Sequence, residues 1–249
     1  MELGYFFDTK ETVPAGLEWN HYGSWHLFWL AVMAALLIVL SNQYKKKDPA
    51  VRARWRKVMG FVILGMEVCK LTILALNGRY THDYLPLHLC SVNIVLINVH
   101  AWKPSKTLDN FLYGICIPGA MAAMVFPDWT VLPPMNYNNI HSFIIHILLV
   151  AYPVMTTVGG DLKPDWRQLP KCLLFTACMA VPVYLFNLKF GTNFMFLMYA
   201  EPGNPLLMFE QLWGHHLLGV PVLGTVFIGL MYLILYLCRR ATRAKTKEV

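Results

Sequence analysis

Seven apolar runs of membrane-crossing length, separated by short polar stretches, leave this chain little choice of fold class. They are residues 24–41, 58–77, 85–102, 111–126, 139–158, 172–190 and 215–238. A helix of about 20 apolar residues crosses the hydrocarbon core, where a helix satisfies its own backbone hydrogen bonds. Only 14% of the 249 residues are charged, against about a quarter in a soluble domain. The expected fold is all-α: a polytopic membrane bundle of seven transmembrane helices over 24–238. Residues 1–23 are polar and aromatic without a period and read as an exposed N-terminal segment; 239–249 read as a basic tail. The first 24 residues lack the apolar core of a signal peptide, so the first spanning helix is expected to direct insertion. Pro86, Pro118, Pro153, Pro182 and Pro221 fall in the runs, where neighbouring helices tolerate the kinks.

Lysine and arginine set the expected orientation. The loop after the first run holds Lys45, Lys46, Lys47, Arg52, Arg54, Arg56 and Lys57. Lys103 and Lys106 follow the third run, Lys163, Arg167 and Lys171 the fifth, and Arg239, Arg240, Arg243, Lys245 and Lys247 the seventh. These are alternate loops and therefore share one side; the other side has Lys10, Arg79 and Lys189. By the positive-inside rule the N-terminus is expected outside and the C-terminus in the cytoplasm. This distribution accounts for the net charge of +7 through topology and anionic lipid, with no nucleic-acid partner. The stretch KKKDPAVRARWRK is expected to lie on anionic headgroups.

The six cysteines form no CxxC pair and no metal spacing, so neither a disulfide framework nor a metal site is expected. Cys69, Cys116, Cys172, Cys178 and Cys238 read as small buried hydrophobes. Cys90 is different because of its company. It lies in Leu85-Pro86-Leu87-His88-Leu89-Cys90, opening the third run with two ionisable side chains. Ionisable groups at membrane depth are functional candidates. If that helix starts near Leu85, Cys90 is about 8 Å below the outer boundary; His146 on the fifth helix is about 10 Å down. A thiol and an imidazole at one depth are the parts of an activated cysteine nucleophile. Asn93 shares the Cys90 face at i+3, and Asn139 and Ser142 give the His146 helix a polar stripe suited to the bundle interior. His141 lies about 140° round from His146.

Each of these residues also has a plainer use. A cysteine packs, a histidine hydrogen-bonds a neighbouring helix, and His88 points away from Cys90. Glu67 and Lys70, at i and i+3 near mid-membrane, read as a structural ion pair or as the coupling site of a transporter. Eight histidines (His21, His26, His82, His88, His141, His146, His215 and His216) fall towards the outer side, with His100 on the inner half. That bias suits either a polar, outward-opening cavity or simple interfacial preference. Gly191 to Leu197, containing Asn193, reads as a segment that covers the cavity.

LPLHLC at 85–90, the helix-five histidine His146 and GTNFMFL at 191–197 resemble the marks of the bacterial YwaF-like integral membrane proteins. The resemblance extends over about residues 25–238. That family is similar to an animal transmembrane acyltransferase family of ether-phospholipid metabolism. The resemblance implies Cys90 as the nucleophile and His146 as the base. Two departures keep His141 open as an alternative base: Ile145-His146-Ile147 replaces the usual Ser-His-Gly, and His141 replaces a Gln or an aromatic residue.

Two readings follow. One is a cell-membrane phospholipid acyltransferase or acyl hydrolase using Cys90 and His146, supported by His88, Asn93, His141, Ser142 or Asn193, with no cofactor. The other is a non-catalytic transporter or lipid-binding protein working through Glu67 and Lys70. Phospholipid is the expected substrate or ligand in the first.

Overall fold

A computed structural model describes residues 3–247, with side-chain surroundings over 4–240. Seven helices among the described residues are long and apolar enough to cross a membrane, and no strand occurs among them. They are α1 (Ser24–Lys45), α2 (Pro49–Leu76), α3 (Leu89–Trp102), α4 (Lys106–Val125), α5 (Tyr137–Val158), α6 (Leu169–Phe190) and, after the short α7 (Leu206–Trp213), α8 (Gly219–Lys247). We call the end of the bundle where α1 begins the N-terminal face. α8 continues through the basic residues to Lys247; residues 248 and 249 lie outside the described residues.

Local chemistry sets the helix ends. The Asn136 side chain caps α5 by accepting from the backbone N–H of Asn138 at 2.8 Å and of Asn139 at 3.2 Å. Gly191 ends α6 with φ +69°, a conformation that glycine adopts without strain. Pro153 lacks the N–H that would bond the carbonyl one turn back. That carbonyl, of Leu149, instead accepts from Cys116 Sγ at 3.5 Å. Cys116 ends a π-helical stretch, Leu112–Cys116, inside α4.

Helices α4 and α5 form the centre of the bundle, with 67% and 61% of their spanning windows buried, whereas α6 and α8 are 11% and 6% buried. The core joins Ile63 of α2, Ile97 of α3, Leu112 and Ala120 of α4, and Leu149 and Tyr152 of α5. Exposed Val, Leu and Phe side chains cover the outer faces of α2, α6 and α8, as lipid-facing surfaces require.

Three expectations need correction. Residues 1–23 are not uniformly exposed: Asp8, Thr9 and Trp19 are buried. Asn136 Nδ2 donates to the carbonyls of Tyr5 and Asp8 at 2.8 and 2.9 Å, fastening the segment over the N-terminal face. The KKKDPAVRARWRK stretch is mostly helix, not loop, and two of its arginines do not face outward. Pro49 starts α2 at a position that needs no N–H donor, and Arg52 and Arg56 turn inward to Asp161 at 3.5 and 3.1 Å. Tyr44 Oη donates to that carboxylate at 2.6 Å. Finally, Cys116 and Cys172 are buried, but Cys69, Cys178 and Cys238 are exposed on the outside of the bundle.

Candidate functional site

The third helix starts later than its hydropathy suggests. A residue before proline is driven out of the helical region, and Leu85 is extended, with φ −60° and ψ 144°. His88 is the N-cap, so Cys90 is the second residue of α3. This corrects the placement of Cys90 a turn or more inside a helix. The backbone N–H groups of Ser91 and Val92 both donate to the His88 carbonyl, at 3.0 and 3.1 Å. Those of Leu89 and Cys90 have no acceptor among the described residues, as is normal for the first donors of a helix. Because a helical Cβ tilts towards the N-terminus, the Cys90 sulfur leans towards these free donors.

Asn93 follows one turn later and is fully buried, yet neither its Nδ2 nor its Oδ1 has a hydrogen-bond partner. On α5, His146 Nδ1 donates to the Ser142 carbonyl at 2.7 Å. A ring that donates from Nδ1 carries its neutral-state lone pair on Nε2. Ser142 therefore orients the imidazole through its main chain, not through its hydroxyl. The Trp129 indole stacks on the other side of the ring. Asn139 of the expected polar stripe is used locally, donating from Nδ2 to Leu132 and Pro133.

Charges gather around these two residues. Glu67 and Lys70 form an ion pair at 2.6 Å. The field of Glu67 reaches both Cys90 and His146, and that of Lys70 reaches His88, His141 and His146. The pair expected to mark a separate transport site is therefore electrostatically linked to Cys90 and His146. Asp128, on the loop between α4 and α5, acts on Cys90, His88 and His146 alike. Burial pushes the Asp128 carboxyl up, but Lys10, hydrogen-bonded to it at 3.0 Å, and the nearby His88 and His146 hold it below the usual carboxylate range.

A strap formed by residues 191–197 packs against His88. Asn187 holds it, accepting at Oδ1 from the Phe194 N–H at 3.0 Å and donating from Nδ2 to the Phe194 carbonyl at 3.0 Å. The Met195 N–H donates to His88 Nδ1 at 3.3 Å, with the Phe194 ring 5.0 Å from the imidazole. Met195 and Phe196 have φ of +58° and +52°, a strained conformation for side chains of this size. His216 Nε2 donates to the Phe196 carbonyl at 2.9 Å. Asn193 does not reach the Cys90–His146 region, which corrects its expected supporting role. Its Oδ1 accepts from the Met198 N–H at 3.1 Å and its Nδ2 donates to the Tyr199 carbonyl at 3.0 Å, because the turn it occupies needs closing.

Among the expected residues, His88 and Cys90 at the start of α3, His146 on α5, and Glu67 and Lys70 on α2 form one electrostatically linked cluster, with Asn93 one turn further along α3; among the described residues Cys90 and His146 share no hydrogen bond. His141 lines a groove between α2 and α5. Sequence reasoning missed Asp128, Lys10 and Trp129. The available signal was a single acid between Pro127 and Trp129 in an otherwise apolar stretch. Among the described residues no three His, Cys, Asp or Glu side chains converge to hold a metal.

No curated protein and no solved structure matches the chain. One family model does, over residues 17–232, a range that takes in all of α1 to α7 and every residue of this cluster except Lys10. The match leaves the bacterial YwaF-like designation an expectation; it establishes that the chain belongs to the TMEM164 family, a family of multi-pass membrane proteins.

Proposed function

We propose that this protein is a lipid acyltransferase of the cell membrane, with Cys90 as nucleophile and His146 as base. The observation that carries this reading is the position of Cys90 in the first turn of α3, beside two backbone N–H groups without a protein acceptor. A helix N-terminus favours a thiolate, and free N–H groups at that point can receive an oxyanion. The alternate-loop bias of lysine and arginine supports an extracytoplasmic position for Cys90 and His146.

His146 Nε2 takes the Cys90 proton, and the sulfur attacks the ester carbonyl carbon of a phospholipid. The Leu89 and Cys90 N–H groups meet the carbonyl oxygen as it gains charge. The ester C–O bond breaks, the departing lysolipid oxygen takes the proton from His146, and the acyl group remains on Cys90 as a thioester. An acceptor lysolipid hydroxyl then gives its proton to His146 and attacks the thioester. Cys90 leaves as the thiol with that proton. Water in place of the acceptor makes the same steps a hydrolysis.

The test is acyl transfer by purified protein in phosphatidylcholine vesicles, with mass spectrometry of the Cys90 peptide. Wild type should carry a long-chain acyl group on Cys90, and folded Cys90→Ala should neither carry it nor transfer. Transfer at the wild-type rate by Cys90→Ala would sink the reading. Transport through Glu67 and Lys70 is favoured instead if Glu67→Gln abolishes solute flux that Cys90→Ala leaves intact.

A further inference from the structure

The strap over residues 191–197 stores backbone strain at two consecutive residues, Met195 at φ +58° and Phe196 at φ +52°. Neither is glycine, and an L side chain meets a steric penalty in this left-handed region. Both are held there through their own main chains by imidazoles. The Met195 N–H donates to His88 Nδ1 at 3.3 Å, and the Phe196 carbonyl accepts from His216 Nε2 at 2.9 Å. Asn187 of α6 fixes the preceding residue from both sides, accepting the Phe194 N–H and donating to the Phe194 carbonyl, each at 3.0 Å. Strain at two such residues is of the same order as the net contribution of these hydrogen bonds. Burial of the Phe194 ring, 1% exposed, is left to tip the balance towards the observed position.

The N–H groups of Leu89 and Cys90 open out of the N-terminal end of α3. His88, the N-cap, stands at that end, with the Phe194 and Phe196 rings 5.0 and 5.9 Å from its imidazole. Cys90 follows it by two residues and is half-buried, neither free on the surface nor sealed in the core like Cys116. We infer that the strap is a spring-loaded lid on the approach to Cys90, hinged at Gly191 and latched to His88 through the Met195 N–H. Gly191 ends α6 at φ +69°, where glycine turns without strain. Lifting the strap breaks the hydrogen bonds to His88 and His216 and lets Met195 and Phe196 return to ordinary backbone angles, so the strain released offsets part of the loss. That the visitor admitted is a phospholipid rests on the acyl-transfer reading above; the control of access to the Cys90 thiol does not.

The experiment follows alkylation of Cys90 by N-ethylmaleimide in full-length protein in phosphatidylcholine vesicles, read by mass spectrometry of the Cys90 peptide. Met195→Gly and Met195→Ala lose much the same contacts but differ in the cost of the left-handed conformation. Alkylation should be about tenfold slower in the glycine variant than in the alanine one, the factor that relieving one such residue gives. Met195→Val, β-branched and still less suited to that region, should react faster than the alanine variant. Asn187→Leu removes the α6 anchor without changing the strap and should react faster than wild type. Cys116, buried in the core, reports general loosening and should stay unreactive throughout. The lid is overturned if folded variants do not rank glycine below alanine below valine, if Cys90 is unreactive in all of them, or if Cys116 labelling rises with that of Cys90. Alkylation needs no acyl transfer, so the lid can fail while the catalytic reading stands, and the reverse.

Discussion

The Trp129 indole lies nearly parallel to the His146 imidazole, with ring centroids 5.1 Å apart and planes inclined by 14°. Trp129 comes from the loop that carries Asp128, so one short segment supplies both a flat support for the proposed base and the carboxylate whose field reaches it. With Nδ1 fixed by the Ser142 carbonyl, the ring has little rotational freedom.

Trp129→Ala removes the support while leaving the Ser142 hydrogen bond. Small displacements of a catalytic group carry large rate penalties, so acyl transfer should fall by roughly ten- to a hundredfold. Trp129→Phe, which can still stack, should recover most of the rate. Initial rates in vesicles, with thermal midpoints to check folding, decide it; equal rates in all three proteins would refute the stacking role.

Asn93 should trade stability for activity. Its amide is buried with both polar atoms unpaired, a situation that typically costs about 1–3 kcal/mol. Asn93→Leu is therefore expected to raise the unfolding free energy by a similar amount while lowering acyl transfer. A loss of stability would mean that the amide is satisfied in the native protein by a bound group that leucine displaces.

Asp128 gives the molecule an acid limit. Its folded-state pKa lies below the ordinary value, under the influence of Lys10, His88 and His146. Its contribution to stability is therefore fully present above the unfolded value of about 3.9 and is lost as pH falls through the lower folded value. Thermal midpoints of wild type should drop on acidification through that window, and Asp128→Asn should flatten this part of the profile. Identical acid profiles for the two proteins would refute it.

At the opposite face, Gly159 is a steric requirement and not a conformational one. A Cβ there would come 2.6 Å from the Tyr44 ring, which is fully buried and donates to Asp161. Gly159→Ala should destabilise the protein by about 1–3 kcal/mol through overpacking, with little effect on residual acyl transfer per folded molecule. Chemical denaturation in mixed micelles would measure it.

The seven crossings were legible because an apolar run of that length has few alternatives. The start of α3 was not, because Leu85, Leu87 and Leu89 continue the hydropathy of the helix while Pro86 and His88 delay its first turn. Cys90 and His146 could be picked out by residue type at membrane depth. The Ser142 carbonyl and the Leu89 and Cys90 N–H groups could not, since a main-chain atom has no identity in a sequence. Asp128 and Lys10 escaped for another reason: tertiary folding alone brings loop and N-terminal residues over the N-terminal face.

Asn136 fastens residues 5 and 8 to the beginning of α5, which separates the order of synthesis from the order of assembly. That early stretch receives its anchor only after more than a hundred further residues have emerged. Until the fifth crossing segment is delivered, the earlier ones wait in the bilayer with their N-terminal face uncovered.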